Sequence, residues 1–165
     1  MSSALARVRV IALGNADAGD DAAALSVLDA LAADPVPGVE LELVRAGRPG
    51  VGLLDWLETE LGVVLVDVIR AGETPGTVRV FELAEAQRLA DARAQSSSHA
   101  FGPAEVLRLG EALGRALPRG YVVGIEGARF EPGSGLSDEV AAALGALRVA
   151  VGRCAHALAR GAEEG

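Results

Sequence analysis

The sequence predicts a three-layer α/β/α sandwich with a mostly parallel, mixed central sheet of about five strands. Short apolar strands alternate with helical patterns along the chain of 165 residues, which is typical of a sheet covered by helices on both faces. Residues 62–67, GVVLVD, are apolar up to the closing acid, as expected of a central strand. The length suits one domain, which we assign to residues 1–165.

Each element follows from its local pattern. Five stretches are apolar or alternate between apolar and polar residues, and are predicted as strands: 7–13, 39–44, 62–67, 77–83 (an edge strand) and 121–125. Four stretches are predicted as helices: 20–33, 51–60, 101–117 and 137–160. Apolar residues spaced for one helical face are Val106, Leu109 and Leu113 in the third helix and Val140, Leu144, Leu147, Val151, Cys154 and Leu158 in the last. Residues 84–98 receive no element, and the tail 161–165 is expected to fray.

The composition argues against several classes of function. A formal charge of −8 argues against nucleic-acid binding, because phosphates attract a basic surface. The single cysteine, Cys154, excludes an internal disulfide and a thiolate metal cluster, and its position predicts a core residue. The first residues lack a basic head and an apolar signal core, and no run of about 18 residues is free of charge. We therefore expect a cytoplasmic protein without membrane insertion.

Acidic side chains follow three of the predicted strands: Asp17, Asp20 and Asp21 after the first, Asp67 at the end of the central one, and Glu126 after the last. The carboxyl ends of parallel strands share one edge of a sheet, and ligands bind there. A single acid in such a position ordinarily caps a helix or lies in a solvated turn. Several acids at one edge indicate a ligand site.

Two kinds of ligand fit the first strand–helix join, GNADAGDD. Gly14-x-Ala16-x-x-Gly19 approaches the dinucleotide-binding fingerprint. However, Asp20 and Asp21 would repel a pyrophosphate at the helix N-terminus. A metal ion avoids this conflict, because a cation offsets the repulsion between carboxylates. Nucleotide binding therefore stays the weaker alternative.

An imidazole is available as a further metal ligand. His99 lies just ahead of the third predicted helix, in SSSHAFGPAEVL, in a loop of the kind that often carries function. The other histidine, His156, lies off the apolar stripe of the last helix and is expected on the surface. His99 is thus the candidate histidine ligand.

Four segments, in order and with compatible spacing, resemble one family: GNADAGDDAAALSVLDAL, VVLVDVIRAGETPGTVRVFEL, SSSHAFGPAEVLRLGEAL and VGIEGARFEPGSGLSDEV. They are similar, in turn, to a Gly-Asn followed by an acidic pair, a central strand ending in Asp before a Pro-Gly-Thr turn, a Ser-x-His-x-x-Gly segment and a Glu-Pro-x-x-Gly-Leu-Ser stretch. The chain thereby resembles the hydrogenase maturation proteases, the endopeptidases that trim the large subunit of nickel-iron hydrogenases. The resemblance implies a phosphorylase/hydrolase-like fold.

The resemblance also implies the site residues and the reaction. By position, Asp21, Asp67 and His99 would bind a metal ion together and carry catalysis. We add as supporting residues Gly14, Asn15, Asp20, Gly102 and Glu126, and expect Asp20 to cap and orient the first helix. The implied metal is nickel held by the large-subunit precursor, and other divalent ions can occupy such a site in vitro. The implied reaction removes a short C-terminal tail from that precursor, which is the implied partner.

The sequence offers no alternative protease machinery. Ser98 and His99 are sequence neighbours, and a His-Glu-x-x-His motif is absent. An ion with open coordination can polarise the scissile carbonyl or activate water, and the sequence leaves both routes open. The alternative of a different class is a chaperone-like protein that binds the metallated precursor without cutting it.

Among the departures from the family pattern, one segment bears on substrate specificity. Where many relatives have an acid and a Gly-Gly-Thr, this chain has Arg45, Ala46, Gly47 and Arg48. The departure leaves the expected metal ligands intact and points to an altered substrate specificity. The sequence does not decide the oligomeric state.

Overall fold

The computed structural model of the chain describes residues 5–86, 88 and 103–163. In this part of the chain a five-stranded sheet is formed by β1 (Arg7–Leu13), β2 (Glu40–Gly47), β3 (Gly62–Ile69), β4 (Val78–Glu82) and β5 (Gly120–Glu126). The helices are α1 (Ala23–Ala33), α2 (Leu53–Leu57), α3 (Pro103–Ala112) and α4 (Asp138–Glu163), and 3₁₀ turns at Gly19–Ala22 and Gly50–Gly52 precede α1 and α2. Residues 83–86 and 88 are also helical, although a strand was predicted to reach residue 83 and no element was predicted for 84–98. The predicted α/β fold is confirmed.

The sheet is mixed, with the strand order β2-β1-β3-β5-β4. Four strands run parallel, and β4 pairs antiparallel with β5 at the edge. The chain extends the sheet from β1 to β2 on one side and then crosses over to β3 on the other. The order therefore reverses between β1 and β3, which opens a crevice at the carboxyl ends of these two strands.

Two hydrophobic cores separate the sheet from its helical layers. Helices α1 and α4 cover one face of the sheet, and α2 and α3 cover the other. Along β3, Val64 and Val66 face the first core, whereas Val63 and Leu65 face the second. Because side chains alternate along a strand, Asp67 continues the second set and lies on the side of α2 and α3.

The third helix ends earlier than its pattern predicted. Helix α3 ends at Ala112 rather than near residue 117, because Gly114 adopts a φ of 72° and its N–H donates to the carbonyl of Glu111. This left-handed residue stops the helix. Leu113 consequently leaves the buried face on which it was predicted and is 60% exposed. The predicted helix start at residues 101–102 lies outside the described residues.

The last helix is longer than predicted. Residues 161–163 continue α4 instead of fraying, and Arg119 donates to the carbonyl of Leu158 in the helix's final turns. The predicted stripe packs against the sheet, and Cys154 is buried, as predicted. Burial raises the pKa of the Cys154 thiol to about 11. By length and composition alone α4 would suffice to cross a membrane, which is weak evidence because core helices also pass that test.

Candidate active site

Asp21 and Asp67 line one cavity of about 560 Å³ at the carboxyl ends of β1 and β3. Asp21 reaches it from the turn after β1, and Asp67 from the end of β3. The rest of the wall includes Arg48, Arg70 and Phe130. The structure thus brings two of the three predicted ligands together at the crevice between the strands.

Asp21 is held in position by the backbone of the preceding turn. Its Oδ2 accepts hydrogen bonds from the Asn15 N–H at 2.9 Å and from Arg48 Nη2 at 2.7 Å. A Cβ on Gly14 would lie 2.0 Å from the Asp21 carbonyl oxygen, and Gly14 has a φ of 126°. Gly14 and Asn15 therefore hold the backbone and the carboxylate of Asp21 in place.

Asp67 lies in surroundings that disfavour its charge. Burial raises the pKa of its carboxyl from 3.8 to about 7. A hydrogen bond from the Val68 N–H to Oδ1, at 2.8 Å, opposes the rise. The negative charge of Asp21 adds to it, and Arg48 opposes it. A carboxyl with a pKa near neutrality can exchange its proton for a cation at physiological pH.

Asp20 points away from the cavity and is fully buried. Its Oδ2 accepts from the N–H groups of Ala128 at 2.7 Å and Arg129 at 2.8 Å. Its Oδ1 accepts from the Ser137 N–H at 2.7 Å, and the Ser137 hydroxyl contacts both oxygens at 2.9 Å. Burial by itself would raise the pKa of Asp20, but these hydrogen bonds outweigh it and the pKa is lowered.

The expected cap on the first helix is therefore corrected. Helix α1 has no side-chain cap, because the intervening 3₁₀ turn directs Asp20 towards the loop after β5. Asp20 instead binds Ser137, the residue just before α4. There its negative charge interacts favourably with the positive end of the dipole of α4. The two adjacent acids thus have separate roles: Asp20 joins segments of the fold, and Asp21 faces the cavity.

Glu126 also binds backbone instead of lining the cavity. Its carboxylate accepts from the N–H groups of Ala71 at 2.9 Å and Gly72 at 3.0 Å, and only 3% of the residue is exposed. Glu126 thereby fixes the loop that follows β3 and Asp67. Its support for the site is indirect, and it is not an additional acid of the cavity.

The turn after β1 does not form a phosphate cradle. Its N–H groups donate to acceptors within the chain, and this holds for Gly14, Asn15, Asp17, Ala18, Asp20 and Asp21. A nucleotide phosphate needs such groups free at the helix start. The hydrogen bonding therefore argues against the nucleotide alternative.

The predicted third ligand, His99, lies outside the described residues, as does Gly102. Within the residues that are described, no group of three His, Cys, Asp or Glu side chains could hold a metal ion. The described part of the site is thus a pair of carboxylates.

Arg70 and Phe130 are among the cavity residues that sequence reasoning missed. The guanidinium carbon of Arg70 lies 3.6 Å from the centroid of the Phe130 ring. The position of Arg70, three residues after Asp67, was a signal that it could lie near the site. Its contact with Phe130 had no such signal, because the two residues are sixty positions apart in the sequence. Of the segment that departs from the family pattern, Arg48 enters the cavity, whereas Arg45 pairs with Asp29 on α1.

A second, mostly apolar cavity adjoins the first. It has a volume of about 220 Å³, and Asp67 and Pro103 belong to the walls of both. Ile69, Phe81 and Leu107 contribute to its apolar lining. Asp67 therefore lies between two cavities, and both have charged as well as apolar residues in their walls.

Comparisons with known proteins identify the family. The family model HycI, described as hydrogenase maturation protease, matches residues 26–151. The chain belongs to the hydrogenase maturation protease family. It is accordingly a protease by family, a hydrolase, and the resemblance found in the sequence is confirmed. A search of curated proteins finds no match.

Solved structures of family members share the fold. The hydrogenase maturating endopeptidase HybD from E. coli has a TM-score of 0.70 at 23% identity, covering 88% of this chain and 89% of that one. The [NiFe] hydrogenase maturation protease HybD from Thermococcus kodakarensis has a TM-score of 0.64 at 26% identity, covering 90% and 99%. HycI from Thermococcus kodakarensis KOD1, also a [NiFe] hydrogenase maturation protease, has a TM-score of 0.63 at 21% identity, covering 93% and 95%. The match extends over nearly the whole length of these proteins.

Proposed function

We propose that this protein is an endopeptidase that removes a short C-terminal peptide from the nickel-loaded large-subunit precursor of a nickel-iron hydrogenase. The observation that carries the proposal is the meeting of Asp21 and Asp67 in one cavity at the crevice between β1 and β3. Family membership supports the proteolytic chemistry. In this proposal the protein acts in the cytoplasm on the precursor as its partner.

The carboxylate pair fits a divalent cation presented by the substrate. Both acids face one cavity, and the negative charge of Asp21 contributes to the raised pKa of Asp67. Asp21 uses Oδ2 for its hydrogen bonds, and Asp67 uses Oδ1. Among the described residues, the other oxygen of each carboxylate has no hydrogen bond to a protein donor. Oxygen and imidazole ligands suit a borderline ion such as nickel, so His99 completes the set in this proposal.

The residues of this chain have distinct tasks in the proposed reaction. Asp21 and Asp67 recognise the ion in the precursor, and the ion supplies polarisation of the scissile carbonyl or activation of water. Asn15 and Gly14 hold Asp21 in position. Recognition of a loaded precursor by protein ligands would restrict cleavage to subunits whose metal has been inserted.

In vitro processing of purified precursor tests this proposal. Nickel-loaded and nickel-free forms of the large-subunit precursor are mixed with the wild-type chain, and their intact masses are followed over time. We expect shortening of the loaded form only. Asp67→Asn and His99→Ala should lower kcat/KM by about a hundredfold or more, whereas the exposed control Asp17→Asn should process at the wild-type rate.

Other outcomes separate the alternatives. Equal processing of the nickel-free precursor would contradict metal recognition while leaving the protease in place. Binding of the loaded precursor by the wild type without any shortening would favour the chaperone-like binder. Wild-type rates for Asp67→Asn, with its fold verified by circular dichroism, would remove Asp67 from the mechanism.

A further inference from the structure

Two arginines share the cavity with Asp21 and Asp67. Arg48 and Arg70 both line it, although the chain as a whole carries a formal charge of −8. Their two positive charges exceed the negative charge of the two acids near pH 7, because the raised pKa of Asp67 leaves its carboxyl partly protonated. A cavity that only received a cation would not need arginines, which weaken the attraction for it.

Arg70 is a preorganised cation. Its guanidinium lies over the ring of Phe130 at 3.6 Å from the centroid, and the residue is exposed. In the described ranges 5–86 and 103–163, no carboxylate lies within ion-pair distance of Arg70. Stacking on the ring fixes the guanidinium and leaves the N–H donors at its edge for another acceptor.

Arg48 is only partly used by its bond to Asp21. Nη2 donates to Asp21 Oδ2 at 2.7 Å, while 68% of the Arg48 side chain is exposed. A guanidinium carries five N–H donors, so this bond leaves further donors. The positive charge of Arg48 also offsets the negative charge of Asp21, which reduces the repulsion that an approaching anion meets.

We infer that Arg48 and Arg70 form a subsite that binds a carboxylate of the protein substrate beside the cleaved bond. Carboxylate is the anion that a polypeptide carries, and its two oxygens match the guanidinium fork. The carboxylate comes from an acidic side chain of the tail or from the C-terminus of the tail. The inference rests on the proposed function, because it takes the substrate to be a polypeptide.

Arg48 and Arg70 both place positive charge on the wall of the cavity. The exposed position of both arginines makes their contribution dependent on ionic strength. Arg48 and Arg70 therefore determine which precursor tails are accepted, separately from recognition of the metal.

Peptide titrations test the subsite without any metal. Three N-acetylated tripeptides are added to the full chain at low salt and followed by NMR, including the arginine side-chain signals: Ala-Glu-Ala amide, Ala-Ala-Ala with a free C-terminus, and the neutral Ala-Gln-Ala amide. We expect a peptide with a carboxylate to bind and to shift the Arg70 side-chain signal. Tighter binding of Ala-Glu-Ala amide would identify a side-chain carboxylate as the ligand, and tighter binding of Ala-Ala-Ala would identify the C-terminal carboxylate. Arg70→Gln should raise the Kd of the tighter-binding peptide by about tenfold, and the exposed control Arg153→Gln should not change it.

Equal binding of the neutral peptide would overturn the subsite, as would an unchanged Kd in both Arg70→Gln and Arg48→Gln. Tighter binding of inorganic phosphate than of either carboxylate peptide would overturn the assignment to a polypeptide ligand.

Processing assays separate this inference from the proposed function. Wild-type chain should process the precursor, while Arg70→Gln should raise KM with kcat nearly unchanged, because uniform binding is lost. A wild type that processes, with Arg70→Gln equally efficient at each salt concentration, would refute the subsite and leave the protease standing. A wild type that does not process, but binds the peptides through Arg70, would refute the protease and leave the subsite standing.

Discussion

Asp67 combines burial with a neighbouring negative charge. Both raise the pKa of its carboxyl, which reaches about 7 against an ordinary 3.8. The folded chain thus holds the Asp67 proton more tightly than the unfolded chain does. The contribution of this proton to the free energy of unfolding is fully present below about pH 4 and is lost as the pH rises through about 7.

The first prediction concerns the pH dependence of Asp67→Asn. The asparagine is neutral at every pH, so the free energy of unfolding of the variant minus that of wild type should increase between pH 3.8 and about 7. The steepest rise should be about 1.4 kcal/mol per pH unit. Urea denaturation of the metal-free proteins over a pH series measures it, with Asp55→Asn as the baseline for an exposed acid. A difference that does not change with pH would contradict the shifted pKa.

Gly14 is required by the close approach of the Asp21 backbone. A Cβ there would lie 2.0 Å from the Asp21 carbonyl oxygen. Gly14→Ala should therefore lower the free energy of unfolding by about 3 kcal/mol or more and displace Asp21.

The matched control for this second prediction is Gly38→Ala. Gly38 also has a positive φ, 78°, but a Cβ there would meet nothing within 4 Å. Its replacement should cost only about 1–2 kcal/mol. Urea denaturation of both variants measures the two losses in the free energy of unfolding. Equal losses would contradict the prediction that the close contact with the Asp21 backbone makes Gly14 the more sensitive position.

The roles of single residues were only partly predictable from the sequence. The positions of Asp21 and Asp67 at strand ends were sufficient to predict that both lie at one edge of the sheet. The separate roles of Asp20 and Asp21 depend on a 3₁₀ turn that directs their side chains apart, and adjacency in sequence cannot reveal it. The stacking of Arg70 on Phe130 was equally hidden, because it depends on how the loops after β3 and β5 meet.

At the scale of elements, Asp20 joins the turn before α1 to the loop after β5 and the start of α4. Its carboxylate accepts from the N–H groups of Ala128, Arg129 and Ser137. These donors lie more than one hundred residues further along the chain. One buried acid therefore stabilises the frame in which the next residue, Asp21, faces the cavity.

The third prediction follows for Asp20→Asn. An amide group provides one oxygen where the carboxylate provides two, so N–H donors lose their acceptor and the free energy of unfolding should fall by about 3 kcal/mol at pH 7. Folding lowers the pKa of Asp20. The difference in the free energy of unfolding between wild type and Asp20→Asn should therefore be largest above pH 3.8, and it should shrink as the pH falls below that value. Chemical denaturation at several pH values measures the effect. The exposed neighbour Asp17→Asn should change stability by less than about 0.5 kcal/mol, and a similar small change in Asp20→Asn would contradict this structural role.

Strands were more predictable than helix ends. Continuous apolar runs and alternation identified the five strands in the described part of the chain, and β1 has the predicted bounds, Arg7–Leu13. The helix ends depend on local geometry instead: Gly114 stops α3 early, and Arg119 binds a carbonyl near the end of α4. Gly114 is a helix-stop signal that the sequence does contain, whereas the contact between Arg119 and α4 leaves no local pattern.

At the scale of the whole molecule, the strand order produces the site. The sequence pattern predicted strands and helices, whereas the order β2-β1-β3-β5-β4 depends on crossover connections that no local pattern records. This order brings the ends of β1 and β3 side by side, and with them Asp21 and Asp67. Residues 89–102, which include His99, lie outside the described part, so the third predicted ligand stays a prediction.

The most direct test of the central claim is the intact mass of the hydrogenase large subunit in cells. The gene for this protein is deleted and then restored as wild type or as His99→Ala. The account predicts a large subunit in the deletion strain that is heavier by a short C-terminal peptide, shortened again by the wild type but not by His99→Ala. A large subunit of mature mass in the deletion strain would contradict the proposed reaction, and full rescue by His99→Ala would contradict the proposed site.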